Sequence, residues 1–296
     1  MSLHKPTVFK GVATAIVTPF RDGSLDLPAL DAMIERQING GVSALVVAGT
    51  TGEGSTLSFS ELGELVSHAQ KSVGGRVPLL VGCGSNCTDR AARLAHIACD
   101  AGADALLAVT PYYNKASDRG LFLHYRAICE ASTRPVLVYN VPSRTGLSLT
   151  LKHYKELSKL ERIVGVKEAS GDLSLIESTV SECGDDLDVF TGNDDQTVSA
   201  MKLGALGVVS VCSNIAPRRM AELCRLCSDR DWKRAASRMQ ALRPLISDLF
   251  REVNPIPVKY LLSRMELCLP EYRLPLTPPS PDSCRHLDLL PVEQWR

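Results

Sequence analysis

Eight times along its 296 residues the chain carries a short, nearly unbroken apolar run, and a stretch with helical spacing follows each one. The runs lie at 11–19, 42–49, 78–83, 103–111, 135–142, 163–167, 187–192 and 207–211. A strand apolar on both sides must be buried on both faces, which is the condition of a parallel strand covered by helices. Segments 27–38, 58–73, 88–101, 120–131, 149–160, 173–183 and 197–203 carry the helical pattern. In the first, Leu30, Ile34 and Ile38 fall on one face, and Gly40-Gly41 closes it. Ser58 and Glu61 form the capping box that opens the second. Eight βα units, with no GxGxxG after the first strand, predict an α/β fold closed into a (β/α)8 TIM barrel rather than an open doubly wound sheet.

Further helical patterns follow the eighth strand at 217–227, 232–252 and 257–267, more helix than a minimal barrel needs. The tail from Leu274 holds Pro275, Pro278, Pro279 and Pro281, so it is expected to be irregular before a last short segment. We therefore expect a barrel domain at 1–225 and a C-terminal helical extension at 226–296.

Charge and cysteine usage narrow the classes of function. The 33 basic and 33 acidic side chains cancel, which leaves no basic field for nucleic acid or an anionic membrane surface. No apolar run approaches the roughly 20 residues that span a bilayer, and residues 1–10 hold no signal-peptide core, so a cytoplasmic protein is expected. Ten cysteines scattered from Cys83 to Cys284 fit reduced, buried thiols better than a disulfide framework. The one CxxC, Cys224 to Cys227, lies in a helical segment without a second pair, and none of His4, His68, His96, His124, His153 and His286 joins a ligand motif. Neither a metal nor an organic cofactor is expected.

Catalytic groups of such a barrel gather at the C-terminal ends of its strands. The sixth run, Ile163-Val164-Gly165-Val166, ends in Lys167, and burying an ammonium there is costly unless it is paired or gives up its proton. Alone, Lys167 reads first as a strand-end lysine whose stem snorkels its charge into solvent. Its companions favour an amine nucleophile. The second strand ends in Gly49-Thr50-Thr51-Gly52-Glu53-Gly54, a backbone nest for a carboxylate. Tyr112 and Tyr113 follow the fourth strand, and Tyr139 and Arg144 the fifth. Each has a plain reading as a turn, a packed aromatic or a surface cation, but together they place an amine, three phenols, an anion nest and a guanidinium on one face. Lys167 would attack the ketone of an α-keto acid, Tyr139 would move the proton with Thr51 and a second tyrosine as onward carriers, and Arg144 would fork a second carboxylate. Adjacent Asp194 and Asp195 after the seventh strand would repel a phosphate ester. A catalytically silent barrel with a binding role is the reading from another class.

At these residues the chain resembles the dihydrodipicolinate synthase family of pyruvate-dependent class I aldolases, a superfamily that includes N-acetylneuraminate lyase. The resemblance runs from Gly11-Val12-Ala13-Thr14-Ala15 to Asn254-Pro255-Ile256-Pro257-Val258-Lys259, and Tyr139-Asn140-Val141-Pro142-Ser143-Arg144-Thr145-Gly146 is its most selective stretch. It implies a Schiff base between Lys167 and pyruvate, a proton relay of Thr51, Tyr139 and Tyr113, and Tyr113 reaching into a neighbouring subunit of a homotetramer or dimer. It further implies that Thr50 and Thr51 hold the pyruvate carboxylate, that Arg144 holds L-aspartate-4-semialdehyde, and that Gly192 and Val209 line the pyruvate pocket through backbone groups. The product would be 4-hydroxy-tetrahydrodipicolinate, on the route to diaminopimelate and lysine. A sugar-acid aldolase or lyase of the same superfamily is the nearest rival. Lysine-inhibited members carry polar and acidic ligands where this chain has Phe59, Leu62 and Arg90, although Asn86 and Tyr112 remain. Weak or absent feedback inhibition by lysine is therefore expected.

Overall fold

The computed structural model describes residues 5–295, so His4 and the first residues of the 1–10 stretch lie outside the described part, as does Arg296. Eight parallel strands close into a barrel: β1 (Gly11–Ala15), β2 (Ala44–Val47), β3 (Leu79–Gly82), β4 (Ala105–Val109), β5 (Val136–Asn140), β6 (Ile163–Glu168), β7 (Asp188–Thr191) and β8 (Gly207–Ser210). β1 pairs with both β2 and β8, which removes every edge. Alternation along each strand sorts the side chains into two cores. Ala13, Val46, Leu107, Leu137, Phe190 and Val209 fill the barrel interior, where Phe9 stacks on Phe190 with centroids 4.1 Å apart. Val12, Leu45, Val81, Val138 and Val166 face outward into the layer of helices. The apolar runs are continuous because both faces are buried.

The helices around the barrel are α1 (Leu27–Asn39), α2 (Phe59–Val73), α3 (Thr88–Asp100), α4 (Asp118–Ala131), α5 (Leu151–Leu157), α6 (Leu173–Cys183), α7 (Thr197–Lys202) and α8 (Pro217–Ser228). The expected capping box at Ser58 and Glu61 is formed in full. Two local features depart from the expected pattern. The fifth run does not continue as strand to Pro142: β5 ends at Asn140, and Pro142–Thr145 makes a single helical turn closed by Gly146 at φ 69°. Proline presets the first helical residue and glycine the left-handed cap, which brings Arg144 back over the barrel mouth. Before α1, Phe20–Arg21 and Ser24–Leu25 form a hairpin whose Asp22-Gly23 turn has φ 52° and 78°, the geometry an Asp-Gly hairpin turn requires.

Beyond the barrel come α9 (Trp232–Leu249), α10 (Ile256–Arg264) and α11 (Pro281–Asp288). The expected boundary between 225 and 226 falls inside α8, and Met220, Leu223 and Leu226 of that helix share one apolar core with Met239 and Leu242 of α9 and Leu261 of α10. Both sides of that boundary build the same core. All ten cysteines are free; seven are buried, whereas Cys87 is exposed and Cys268 and Cys284 are intermediate. Burial pushes the Cys227 thiol up to about 11 and Cys129 to about 12, which leaves both protonated and unreactive. None of the described helices is long and apolar enough to cross a membrane.

Candidate active site

A cavity of about 330 Å3 opens at the C-terminal mouth of the barrel, with Gly49, Thr50, Tyr112, Tyr139, Arg144 and Asn254 in its wall. Lys167 stands inside the barrel on β6, directly across from Tyr139 on β5 and Phe190 on β7. Its side chain is only 6% exposed, and its Nζ lies 4.1 Å from the centre of the Tyr139 ring. No hydrogen bond or ion pair engages that amine among the described residues, so it is not spent on structure. Snorkelling is thereby excluded. Gly192, at the end of β7, makes room for it: a Cβ there would stand 2.8 Å from Lys167 Cε and 2.6 Å from Ala169 Cβ, closer than side chains can approach.

The loop after β2 supplies the hydroxyls. Thr51 is 2% exposed, and its Oγ1 accepts a hydrogen bond from Asn254 Nδ2 at 3.0 Å. The backbone N–H groups of Thr50 and Thr51 have no acceptor among the described residues, the state expected of an anion nest awaiting a carboxylate. Arg144 reaches across the same cavity and donates through Nη2 to the Asn254 carbonyl at 3.2 Å. Asn254 thus bridges Thr51 and Arg144.

Tyr113 and Val209 stand outside the wall of this cavity. Tyr113 takes no part in this chain's own cavity: its side chain is 85% exposed, and its backbone, at φ 74°, is held by an N–H bond to the Thr145 carbonyl at 3.3 Å. Only Tyr112 of that pair faces the cavity. Val209 is fully buried in the barrel interior opposite Ala13, below the mouth.

Four further residues act differently from the sequence reading, or were given no role in it. Glu53 is not part of the nest. At φ 50° it turns inward, and its carboxylate meets Lys259 Nζ at 2.5 Å and the Arg273 N–H at 3.1 Å. Both side chains of the Glu53–Lys259 pair are 0% exposed, and this bond ties the threonine loop to α10. Asp194 does not face the cavity as a repelling charge. It is 1% exposed, and its Oδ2 accepts the N–H groups of Val211 at 3.0 Å and Cys212 at 2.9 Å. Burial pushes its carboxyl above the ordinary value, and hydrogen bonds from Ser210, Cys212 and Val211 oppose that rise. The outcome for phosphate is unchanged, because Asp194 occupies the donors after β8 that a phosphate-binding barrel would offer. Asn254 and Lys259 stand in Asn254-Pro255-Ile256-Pro257-Val258-Lys259, a stretch that marked the extent of a resemblance but suggested no contact.

Known proteins match the chain in both sequence and fold. The model of the dihydrodipicolinate synthetase family matches residues 8–289. The chain is 44% identical over 277 residues to a 4-hydroxy-tetrahydrodipicolinate synthase of Thermotoga neapolitana, covering 92% of this chain and 94% of that one. Among solved structures, a monomeric dihydrodipicolinate synthase variant superposes with a TM-score of 0.94 at 41% identity, covering 98% of both chains. The dihydrodipicolinate synthase of Thermotoga maritima gives 0.93 at 41% identity, over 95% of this chain and 97% of that one.

Proposed function

Since the chain belongs to the dihydrodipicolinate synthetase family, we propose that it is a lyase of the class I aldolase type that condenses pyruvate with L-aspartate-4-semialdehyde to 4-hydroxy-tetrahydrodipicolinate. The observation that carries this reading is the unpaired, buried amine of Lys167 against the Tyr139 ring and beside the gap left by Gly192. Lys167 Nζ adds to the keto carbon of pyruvate, and the carbinolamine loses water to give an imine. Tyr139 and Thr51 carry the protons of addition and dehydration. The pyruvate carboxylate takes the free N–H groups of Thr50 and Thr51, and the backbone at Gly192 and Val209 borders the keto acid. Removal of a methyl proton then gives the enamine, which attacks the aldehyde carbon of the second substrate. No cofactor is required for these steps. The Arg144 guanidinium, in the wall of the cavity, forks the carboxylate of the aldehyde.

Tyr113 serves a neighbouring copy. An 85% exposed tyrosine held on a positive-φ backbone is poorly explained by the isolated chain and well explained by a homodimer or homotetramer in which it completes the partner's proton relay. The enzyme works in the cytoplasm. Feedback inhibition by lysine is weak or absent. The Arg90 and Arg93 guanidinium carbons stack 4.9 and 4.2 Å from the centre of the Phe59 ring, and Leu62 is buried, so this region offers a lysine ammonium cations rather than carboxylates. Halving of the rate at sub-millimolar lysine would refute that statement.

The deciding experiment compares condensation of pyruvate with L-aspartate-4-semialdehyde against pyruvate with aldoses. A sugar-acid aldolase needs hydroxyl partners rather than a second carboxylate fork, so the amino-acid aldehyde is expected to be strongly preferred. Preference for an aldose would overturn the assignment.

A further inference from the structure

Behind the sheet, on the face opposite to the cavity, a buried carboxylate links the residue after Lys167 to the residue after Tyr139. Side chains alternate along β6, so with Lys167 inside the barrel Glu168 points outward, and it is 2% exposed. Asn140 Nδ2 donates to both Glu168 oxygens, at 3.1 and 3.0 Å. The Ser170 N–H donates to Oε1 at 2.7 Å, and the Tyr154 hydroxyl of α5 donates to Oε2. Burial and the adjacent Glu168 hold the Tyr154 phenol well above its ordinary value, so it remains a donor. Asn140 is fully buried, and its Oδ1 accepts the Leu149 N–H at 3.1 Å, anchoring the far end of the loop that carries Arg144.

Every donor to Glu168 among the described residues is neutral. A buried carboxylate without a cation is costly to maintain, and a packed apolar pair would close the same space. The place where it occurs gives the reason. Asn140 and Glu168 form the next rung of the β5–β6 ladder after Tyr139 and Lys167. One carboxylate therefore fixes the rung beside the reacting amine and its phenol, and through Asn140 it also fixes the arginine loop.

We propose that Glu168 is a positioning residue that, through Asn140, sets the placement of Lys167 against Tyr139 for imine formation. This rests on the functional reading above. The donors and acceptor of the pair can be exchanged. Asn140→Asp sets two carboxylates against each other, and Glu168→Gln sets an amide N–H2 against the Asn140 N–H2. In the double variant N140D/E168Q the amide and the carboxylate trade places. The amide introduced at position 168 donates to the carboxylate introduced at position 140 and to the Tyr154 hydroxyl oxygen, and its carbonyl oxygen keeps the Ser170 N–H. The second oxygen of that carboxylate keeps the Leu149 N–H.

The test measures, in the full-length chain, borohydride trapping of the pyruvate imine on Lys167, together with kcat and KM for condensation and the unfolding midpoint. Each folded single variant is expected to lose on the order of ten- to a hundredfold in trapping rate and kcat, the scale of a misplaced reacting group, with KM for pyruvate within about threefold of wild type. The double variant is expected to return to within about fivefold of wild type. Folded single variants that trap at the wild-type rate, or a folded double variant no better than the worse single, would overturn the proposal. If the single variants do not fold, the double variant and Tyr154→Phe decide. Tyr154→Phe keeps the ring and removes one donor, so a slower imine at unchanged KM supports the proposal and the wild-type rate opposes it. A wild-type protein that forms no trappable imine would instead overturn the functional reading on which the network rests.

Discussion

Lys259→Met should be among the most damaging single substitutions outside the cavity. Lys259 and Glu53 are each 0% exposed and meet at 2.5 Å, and the ammonium also lies 4.3 Å from the centre of the Phe20 ring. Burial lowers the Lys259 pKa even though Glu53 raises it, so little water helps to hold this charge. Methionine fills much of the volume but leaves the Glu53 carboxylate with only the Arg273 N–H. Removing one partner of a buried pair costs about 3–5 kcal/mol, because the other charge is left uncompensated. With an unfolding entropy of ~2.1 cal/mol/K per residue, a chain of 296 residues loses about 5–8 °C in Tm for that change. Urea and thermal unfolding followed by circular dichroism would measure it. The double variant E53Q/K259M buries no charge and keeps an acceptor for Arg273, so it should recover more than half of the loss. A Lys259→Met protein within about 1 kcal/mol of wild type would refute the reasoning, as would a double variant no more stable than Lys259→Met.

Gly192→Ala places a methyl group 2.6 Å from Ala169 Cβ and 2.8 Å from Lys167 Cε. Displacing the amine should lower kcat by about a hundredfold with little change in Tm, and activity within a few-fold of wild type would show that Lys167 does not work from this position. Arg144→Ala should raise KM for the aldehyde by about 10- to 100-fold, the worth of a charge-assisted hydrogen bond, while pyruvate imine trapping stays unchanged; loss of trapping would assign Arg144 to the wrong substrate. Arg273 holds the Glu61 carboxyl down to about 2 from an ordinary 4.5. A depressed carboxylate contributes stability that is present above the unfolded pKa and lost as pH falls through the folded one. Acid unfolding between about pH 4.5 and 2 should therefore be shallower in Glu61→Gln than in wild type, and an identical acid limb would mean that the pair contributes nothing.

The barrel was legible because its strands are buried on both faces, so runs such as Val42 to Ala48 are apolar without alternation, and because helical spacing fills the intervals. Lys167 was legible because a lysine closing such a run contradicts local expectation. Arg144 was found by its place after the fifth strand, but the turn that aims it was not, since Pro142–Thr145 extends an apolar run that reads as strand. The contacts that complete the cavity were invisible for a different reason. Asn254 meets Thr51 across 203 residues of sequence, and Lys259 meets Glu53 across 206, and no local pattern records a partner at that separation. Asp194 was read as a charge facing a ligand, and Glu53 only as part of a glycine-rich loop, because sequence gives a loop and not a side chain's direction; burial turns both toward backbone or ion-pair partners. Residue type alone did not separate Tyr112 from Tyr113, which look alike until a positive φ at Tyr113 parts them; only the resemblance gave Tyr113 an outward reach.

The central claim is that Lys167 is the amine that forms the imine. Incubation with pyruvate and borohydride, followed by peptide mass analysis, tests it most directly. One reduced pyruvate adduct is expected, located on Lys167, with loss of activity in proportion to labelling. Lys167→Arg should give no adduct and near-total loss of activity, because a guanidinium cannot form the imine although the variant stays folded. An adduct on another lysine, or a Lys167→Arg protein that turns over at the wild-type rate, would contradict the claim.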